Sequence, residues 1–207
     1  MKSMKQRQSI RDMVYIALMA SLMAVCSWIS IPAGDVPFTL QTLGVFCAVG
    51  LLGGKRGTAA VSLYLLMGAV GLPVFSGFTG GPGRLLGVTG GYLVGFVFTG
   101  LIYWLVTALA GNRTWSMALG MVLGSAAYFA FGTVWYVVVY ARGSGPIGFG
   151  AALMKCVAPY VVPDLVKIAL ALALSRSVGR YLIPALSPTG AGTVVTSPSG
   201  RGNKEPR

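Results

Sequence analysis

Pro159-Tyr160-Val161-Val162-Pro163-Asp164-Leu165-Val166-Lys167 runs directly into the apolar stretch 168–174 and then into Arg176 and Arg180. The chain has four acidic residues, Asp12, Asp35, Asp164 and Glu205, and only Asp164 opens a strongly apolar segment. Lys167 follows three residues later, on the same face if the segment is helical. Pro163 suits a first helical position, where its missing N–H would have no partner anyway. Asp164 would then stand in the first turn, where the helix dipole favours a negative charge. Inside a membrane span an ionisable side chain costs about 2.5–3.5 kcal/mol on insertion scales, which marks it as a functional candidate. A structural pair that only neutralises itself is the plainer alternative.

The composition fits a membrane setting. Of 207 residues, 55% are hydrophobic and 10% charged, whereas a soluble domain is about one-quarter charged. A net charge of +12 could point to nucleic acid, but the Lys and Arg cluster at the termini and in short loops between apolar runs. Membrane proteins use them there to set topology, so no nucleic-acid partner is expected. The chain has no His, and Cys26, Cys47 and Cys156 have no metal-ligand spacing, so neither a metal nor a cofactor is expected.

Six apolar segments are expected to cross the membrane: residues 12–31, 38–52, 58–72, 85–110, 115–141 and 163–183. The second and third are short of the roughly 20 residues a span needs. The stretch 150–160 is apolar but too short to cross, and reads as a lead-in to the last helix. Residues 1–11 form a basic N-terminus, with no small-residue cleavage site after the first apolar run. Residues 187–207 are rich in Ser, Thr, Pro and Gly and read as a disordered tail. The expected fold is an all-α six-helix membrane bundle. With both termini inside, twelve of the sixteen Lys and Arg lie on the inner side, which assigns the termini to the cytoplasm. Asp164 and Lys167 then lie toward the outside.

Between the third and fourth segments lies a Gly-rich loop with the aromatics Phe75 and Phe78 and a following Tyr92. It reads as a lid over an outward pocket or as a plain connector. In the first segment, Ala17 and Ser21, and Ala20 and Ala24, are four apart, a spacing that lets two helices approach closely. Either a partner or the rest of the bundle could use that face.

Four motifs in order resemble the BioY family, the biotin-specific S components of energy-coupling factor (ECF) transporters. They are Pro37-Phe38-Thr39-Leu40-Gln41-Thr42-Leu43-Gly44, Gly68-Ala69-Val70-Gly71-Leu72-Pro73-Val74-Phe75, Gly87-Val88-Thr89-Gly90-Gly91-Tyr92-Leu93 and Pro163-Asp164-Leu165-Val166-Lys167. The resemblance covers about residues 10–182. Val88 stands where the family commonly has Pro, and Pro163 where it commonly has Gly. The resemblance implies an S-component fold with its pocket toward the outside, in a bacterial plasma membrane. It implies biotin as ligand, and as partners a transmembrane scaffold protein and two ATPases beside the membrane lipid. Asp164 would accept from a ureido N–H and Lys167 would donate to an oxygen. Phe75, Tyr92 and Trp135 would wall the ring and chain, and Gln41, Thr39, Thr89 and Thr79 would add neutral contacts. Tyr92 reads equally well as an interfacial anchor, and Trp135 as core or lipid-facing. The resemblance also implies docking on the scaffold through Ala17, Ala20, Ser21 and Ala24.

Two other classes compete. An intramembrane enzyme would have only Asp164 and Lys167 to work with. A self-sufficient carrier would often show broken helices paired across its halves. Within the transporter class, an S component for thiamine or riboflavin is the alternative.

Overall fold

A computed structural model describes residues 2–32, 36–145 and 147–186. The expected tail at 187–207 lies outside them. The described chain is mostly helical, in the order α1 (Lys2–Trp28), β1 (Ser30–Ile31), β2 (Phe38–Thr39), α2 (Gln41–Ala69), α3 (Pro82–Leu86), α4 (Gly90–Ala110), α5 (Thr114–Ser144), α6 (Phe149–Cys156) and α7 (Ala158–Leu186). Among the described residues, four stretches are long and apolar enough to cross a membrane: Ser9–Trp28, Gly90–Ala110, Thr114–Arg142 and Ala158–Val178.

The helix α2 is two helices. Gly53 breaks it with φ 78° and ψ 170°, a backbone conformation that glycine reaches without steric cost. Were α2 straight, Gln41 and Tyr64 would be about 34 Å apart at 1.5 Å per residue. Instead Gln41 Nε2 donates to Tyr64 Oη at 2.8 Å. The chain therefore turns back at Gly53, and its two arms lie against each other. Gly57 makes the close approach possible, since a β-carbon there would stand 2.5 Å from the Val49 Cα. These arms are the short second and third apolar segments of the sequence.

This hairpin is the centre of the bundle, packing on α1, α4 and α7. Val45, Phe46, Val49, Val61 and Tyr64 of the hairpin are fully buried. Among the described residues the helices α4 and α5 make the most extensive contact, and small residues bring them close. Gly95 faces the Tyr128 side chain, and Gly132 faces the ring of Tyr92. Each glycine leaves room for one tyrosine, and both rings line the same cavity.

Several expectations change here. The helix α1 runs back to Lys2, through the basic segment at 1–11. The last helix starts at Ala158 instead of Pro163, because Val157 O accepts from Tyr160 N and Val161 N and starts the helix early. Pro163 thus lies inside the helix, where it removes a hydrogen bond to Pro159 O. Asp164 is outside the first turn, so the helix dipole contributes little there. The lead-in at 150–160 is the short helix α6 up to Cys156, and its last residues already belong to α7. Ala20 and Ala24 are buried at 0% and 4% exposure, against the hairpin that α1 packs on, because that helix has its inward face there. Only Ala17 and Ser21 of the small-residue set are exposed. The expectation of a partner face through all four is corrected for Ala20 and Ala24, which face the inside of the bundle.

Replacing Gly57 by Val should force the two arms apart and lower stability by about 1–3 kcal/mol. Thermal unfolding in detergent measures it. An unchanged melting temperature would contradict the hairpin packing.

Candidate functional site

The site forms where the start of the hairpin meets α5 and α7. Asp164 and Lys167 are 3% and 6% exposed. Asp164 Oδ1 accepts from Lys167 Nζ at 2.9 Å and from Thr42 Oγ1 at 2.9 Å. Its Oδ2 accepts from Tyr128 Oη. Lys167 Nζ donates further to Thr39 O at 2.8 Å and to Thr42 Oγ1 at 2.8 Å. It also stands 4.5 Å from the centre of the Phe38 ring, within cation–π range.

Counting donors and acceptors shows how closed the pair is. An ammonium has three N–H groups and a carboxylate about four acceptor sites. All three N–H groups of Lys167 are engaged, and three of the four sites on Asp164 are filled. The remaining acceptor site on Asp164 and the cavity beside it are open to a donor. Thr39 takes part through its carbonyl, which is fixed because Phe38 and Thr39 pair with Ile31 and Ser30 in an antiparallel clip.

A cavity opens beside the pair. Its lining includes Thr39, Gln41, Thr42, Phe75, Ser76, Arg84, Thr89, Tyr92, Phe96, Tyr128, Phe129, Tyr160, Asp164 and Lys167. Gln41 spends its amide N–H on Tyr64, and its Oε1 makes no hydrogen bond among the described residues. Tyr64 Oη donates on to Val74 O at 2.9 Å, and Ser27 Oγ donates to the same carbonyl. Trp28 Nε1 donates to Pro73 O at 2.9 Å, and its ring stacks on Phe78 at 5.0 Å. The Gly-rich loop is thus pinned to α1 and the hairpin. It presents Phe75, Ser76 and Arg84 to the cavity, with Arg84 Nη2 donating to Ser76 Oγ at 3.2 Å.

Of the residues singled out in the sequence, Asp164, Lys167, Tyr92, Gln41, Thr39, Thr89 and Phe75 come together here. Thr79 and Trp135 do not. Thr79 Oγ1 donates to Ser76 O inside the loop. Trp135 packs on Gly91 and donates to Gly87 O at 3.0 Å, which fastens the approach to α4.

The sequence and the fold are similar to those of known proteins. The sequence model of the BioY family matches residues 2–183. The chain belongs to the BioY family. It is 38% identical to the biotin transporter BioY of Thermotoga maritima over 78% of this chain and 92% of that one. It is 34% identical to the biotin transporter BioY2 of Lactococcus lactis subsp. cremoris, over 89% of this chain and 96% of that one. Its fold is similar to a crystal structure of the S-component for biotin from an ECF-type ABC transporter. The TM-score is 0.74 at 26% identity, covering 84% of this chain and 93% of that one.

Sequence reasoning on this BioY-family chain missed Thr42, Tyr128 and Arg84. Thr42 stands inside the second-segment motif, one residue past Gln41, where its hydroxyl alone gives no clue that it bridges both charges. Tyr128 lies in an apolar run whose periodicity does not tell a pocket-facing ring from a core ring. Arg84 is a lone cation in the Gly-rich loop, where nothing in the sequence marks it as facing the cavity.

Asp164→Asn would leave a buried ammonium uncompensated and should destabilise the fold by about 3–5 kcal/mol. Tyr128→Phe removes one hydrogen bond to a charged acceptor and should cost about 1.5–3 kcal/mol. Thermal unfolding of both variants in detergent checks the order. A smaller loss for Asp164→Asn would contradict the buried pair.

Proposed function

We propose that this chain captures biotin and carries it across the membrane as the S component of an ECF-type transporter, energised by a separate ATPase module. The observation that carries the reading is the buried Asp164 and Lys167 pair facing a cavity with mixed aromatic and polar walls. Membership of a family whose relatives are named transporters supports transport over enzymatic chemistry. Thiamine and riboflavin are less well suited, because the four motifs and the relatives' names point to biotin.

Biotin's chemistry fits the lining. A ureido N–H can donate to the free acceptor site of Asp164, and the second can reach Gln41 Oε1. The ureido oxygen can take one of the Lys167 N–H groups from its present partner. Charge-assisted hydrogen bonds of this kind are the strong ones, more so away from water. Phe75, Tyr92, Phe96 and Phe129 offer apolar surface to the ring and chain. Arg84 is a second cation in the lining and suits the valerate carboxylate.

The reading also covers topology and assembly. Four long helices and the two hairpin arms support a reading of six crossings in a bacterial plasma membrane. The Lys and Arg distribution supports cytoplasmic termini. The exposed Ala17 and Ser21, among Val14, Leu18, Leu22 and Val25 on the outer face of α1, suit the transmembrane scaffold protein, which would link to two ATPases.

Two measurements test this. Native mass spectrometry after gentle extraction should find a co-purified ligand of biotin's mass, or added biotin should bind. Neither occurring would overturn the reading. Arg84→Gln should weaken biotin binding about ten- to a hundredfold, the worth of one charge-assisted hydrogen bond of roughly 1.5–3 kcal/mol. Biotin amide, which lacks the carboxylate, should lose much less. Equal losses for both ligands would remove Arg84 from carboxylate recognition.

A further inference from the structure

A second cavity lies at the other end of the hairpin. It is lined by Asp12 and Ile16 of α1, by Leu52, Gly53, Gly54, Lys55, Arg56 and Ala59 around the turn, and by Trp104, Thr107, Ala108 and Asn112 at the end of α4. At about 560 Å³ it is within the range of ligand sites. Thirteen residues separate Thr42 from Lys55, so the two cavities are about 20 Å apart along the arm.

The walls are of two kinds. One side is cationic and polar. Arg56 Nε pairs with Asp12 Oδ2 at 3.0 Å, and its Nη groups make no hydrogen bond among the described residues. Lys55 is exposed and has no partner among them either. One acid against two cations leaves a net positive site. The other side is apolar: Ile16, Leu52, Ala59, Ala108 and the half-exposed indole of Trp104. It follows α1 and α4, two of the helices suited to crossing a membrane. Gly54 seats against the Trp104 backbone, where a β-carbon would come within 2.4 Å, and this fixes the indole beside the two cations. A ligand that fills such a cleft has an anion at one end and hydrocarbon at the other.

We propose that this cleft binds an anionic phospholipid, with its phosphate at Lys55 and Arg56 and its acyl chain along Ile16, Trp104 and Ala108. A basic pocket between membrane helices is the arrangement that holds lipid headgroups, and a Trp ring lies comfortably at headgroup level. The lipid would tie the turn of the hairpin to α1 near Asp12 and Ile16 and to the end of α4, opposite the candidate biotin pocket.

The test is native mass spectrometry of the full chain in mild detergent, titrated with phosphatidylglycerol, with phosphatidylcholine and with inorganic phosphate. One phosphatidylglycerol should bind more tightly than phosphatidylcholine. Lys55→Gln should weaken it about fivefold, one cation's share. Ala108→Phe, which fills the apolar wall and leaves the charges intact, should weaken it as well. Arg176→Gln should leave it unchanged, since Arg176 bonds Thr114 at the same end but lies outside the cleft. Equal weakening by Arg176→Gln would mean a diffuse basic surface and overturn the site. Full displacement by millimolar inorganic phosphate would overturn the lipid and leave a free-anion site. Biotin affinity, measured on the same samples, should not change in any of these variants. Loss of the lipid effect with biotin binding intact would therefore count against this cleft alone.

Discussion

A carboxylate and an ammonium buried among apolar helices constrain everything around them. Their desolvation is offset only if each partner is fully hydrogen-bonded. Here the partners come from several elements. Thr42 comes from the start of the hairpin, the Thr39 carbonyl and Phe38 from a two-residue strand, and Tyr128 from α5. The hairpin must turn at Gly53 to bring Gln41 back beside Tyr64, and α5 must press on α4 to place Tyr128. The short clip between Ser30–Ile31 and Phe38–Thr39 aims one carbonyl at Lys167. The same closed shell leaves one acceptor on Asp164 and one oxygen on Gln41 open to a cavity, which is what a donor-bearing ligand needs.

Much of this was legible in the chain. Apolar length located the helices, and a lone acid beside a lysine at helical spacing located the pair. Seven of the nine expected pocket residues meet at one cavity. What could not be read follows from three-dimensional neighbours. Whether Tyr128 faces a pocket or a core depends on which helix lies opposite, and its apolar run gives the same pattern for both. Pro163 looked like a helix start because local preference favours it there, but the carbonyl of Val157 had already begun the helix. Ala20 and Ala24 have the spacing that suits any close helix contact, and the partner turned out to be the chain's own hairpin. Trp135 and Thr79 carry suitable chemistry and spend it on holding loops.

The Gly-rich loop links the cavity to α1. Ser27 and Trp28 at the end of α1 hold the carbonyls of Val74 and Pro73, and the loop they hold supplies Phe75, Ser76 and Arg84 to the lining. Ala17 and Ser21 on the outer face belong to the same helix. The end of α1 is thus joined to the wall of the pocket through two hydrogen bonds and one ring stack. Rigid helices joined by such contacts are the usual carriers of coupling between distant sites.

The central claim is that Asp164 and Lys167 read the ligand as well as hold the fold. Removing one charge cannot separate those roles, because the survivor is stranded. Removing both can, since replacing a buried ion pair by neutral side chains of similar size is often neutral for stability or favourable. The most direct measurement is equilibrium biotin binding to the Asp164→Asn, Lys167→Met double variant, beside its melting temperature in detergent. The account expects a melting temperature near that of the parent and biotin affinity at least a hundredfold weaker, two charge-assisted hydrogen bonds having been lost. A well-folded double variant that binds biotin as tightly as the parent would contradict it.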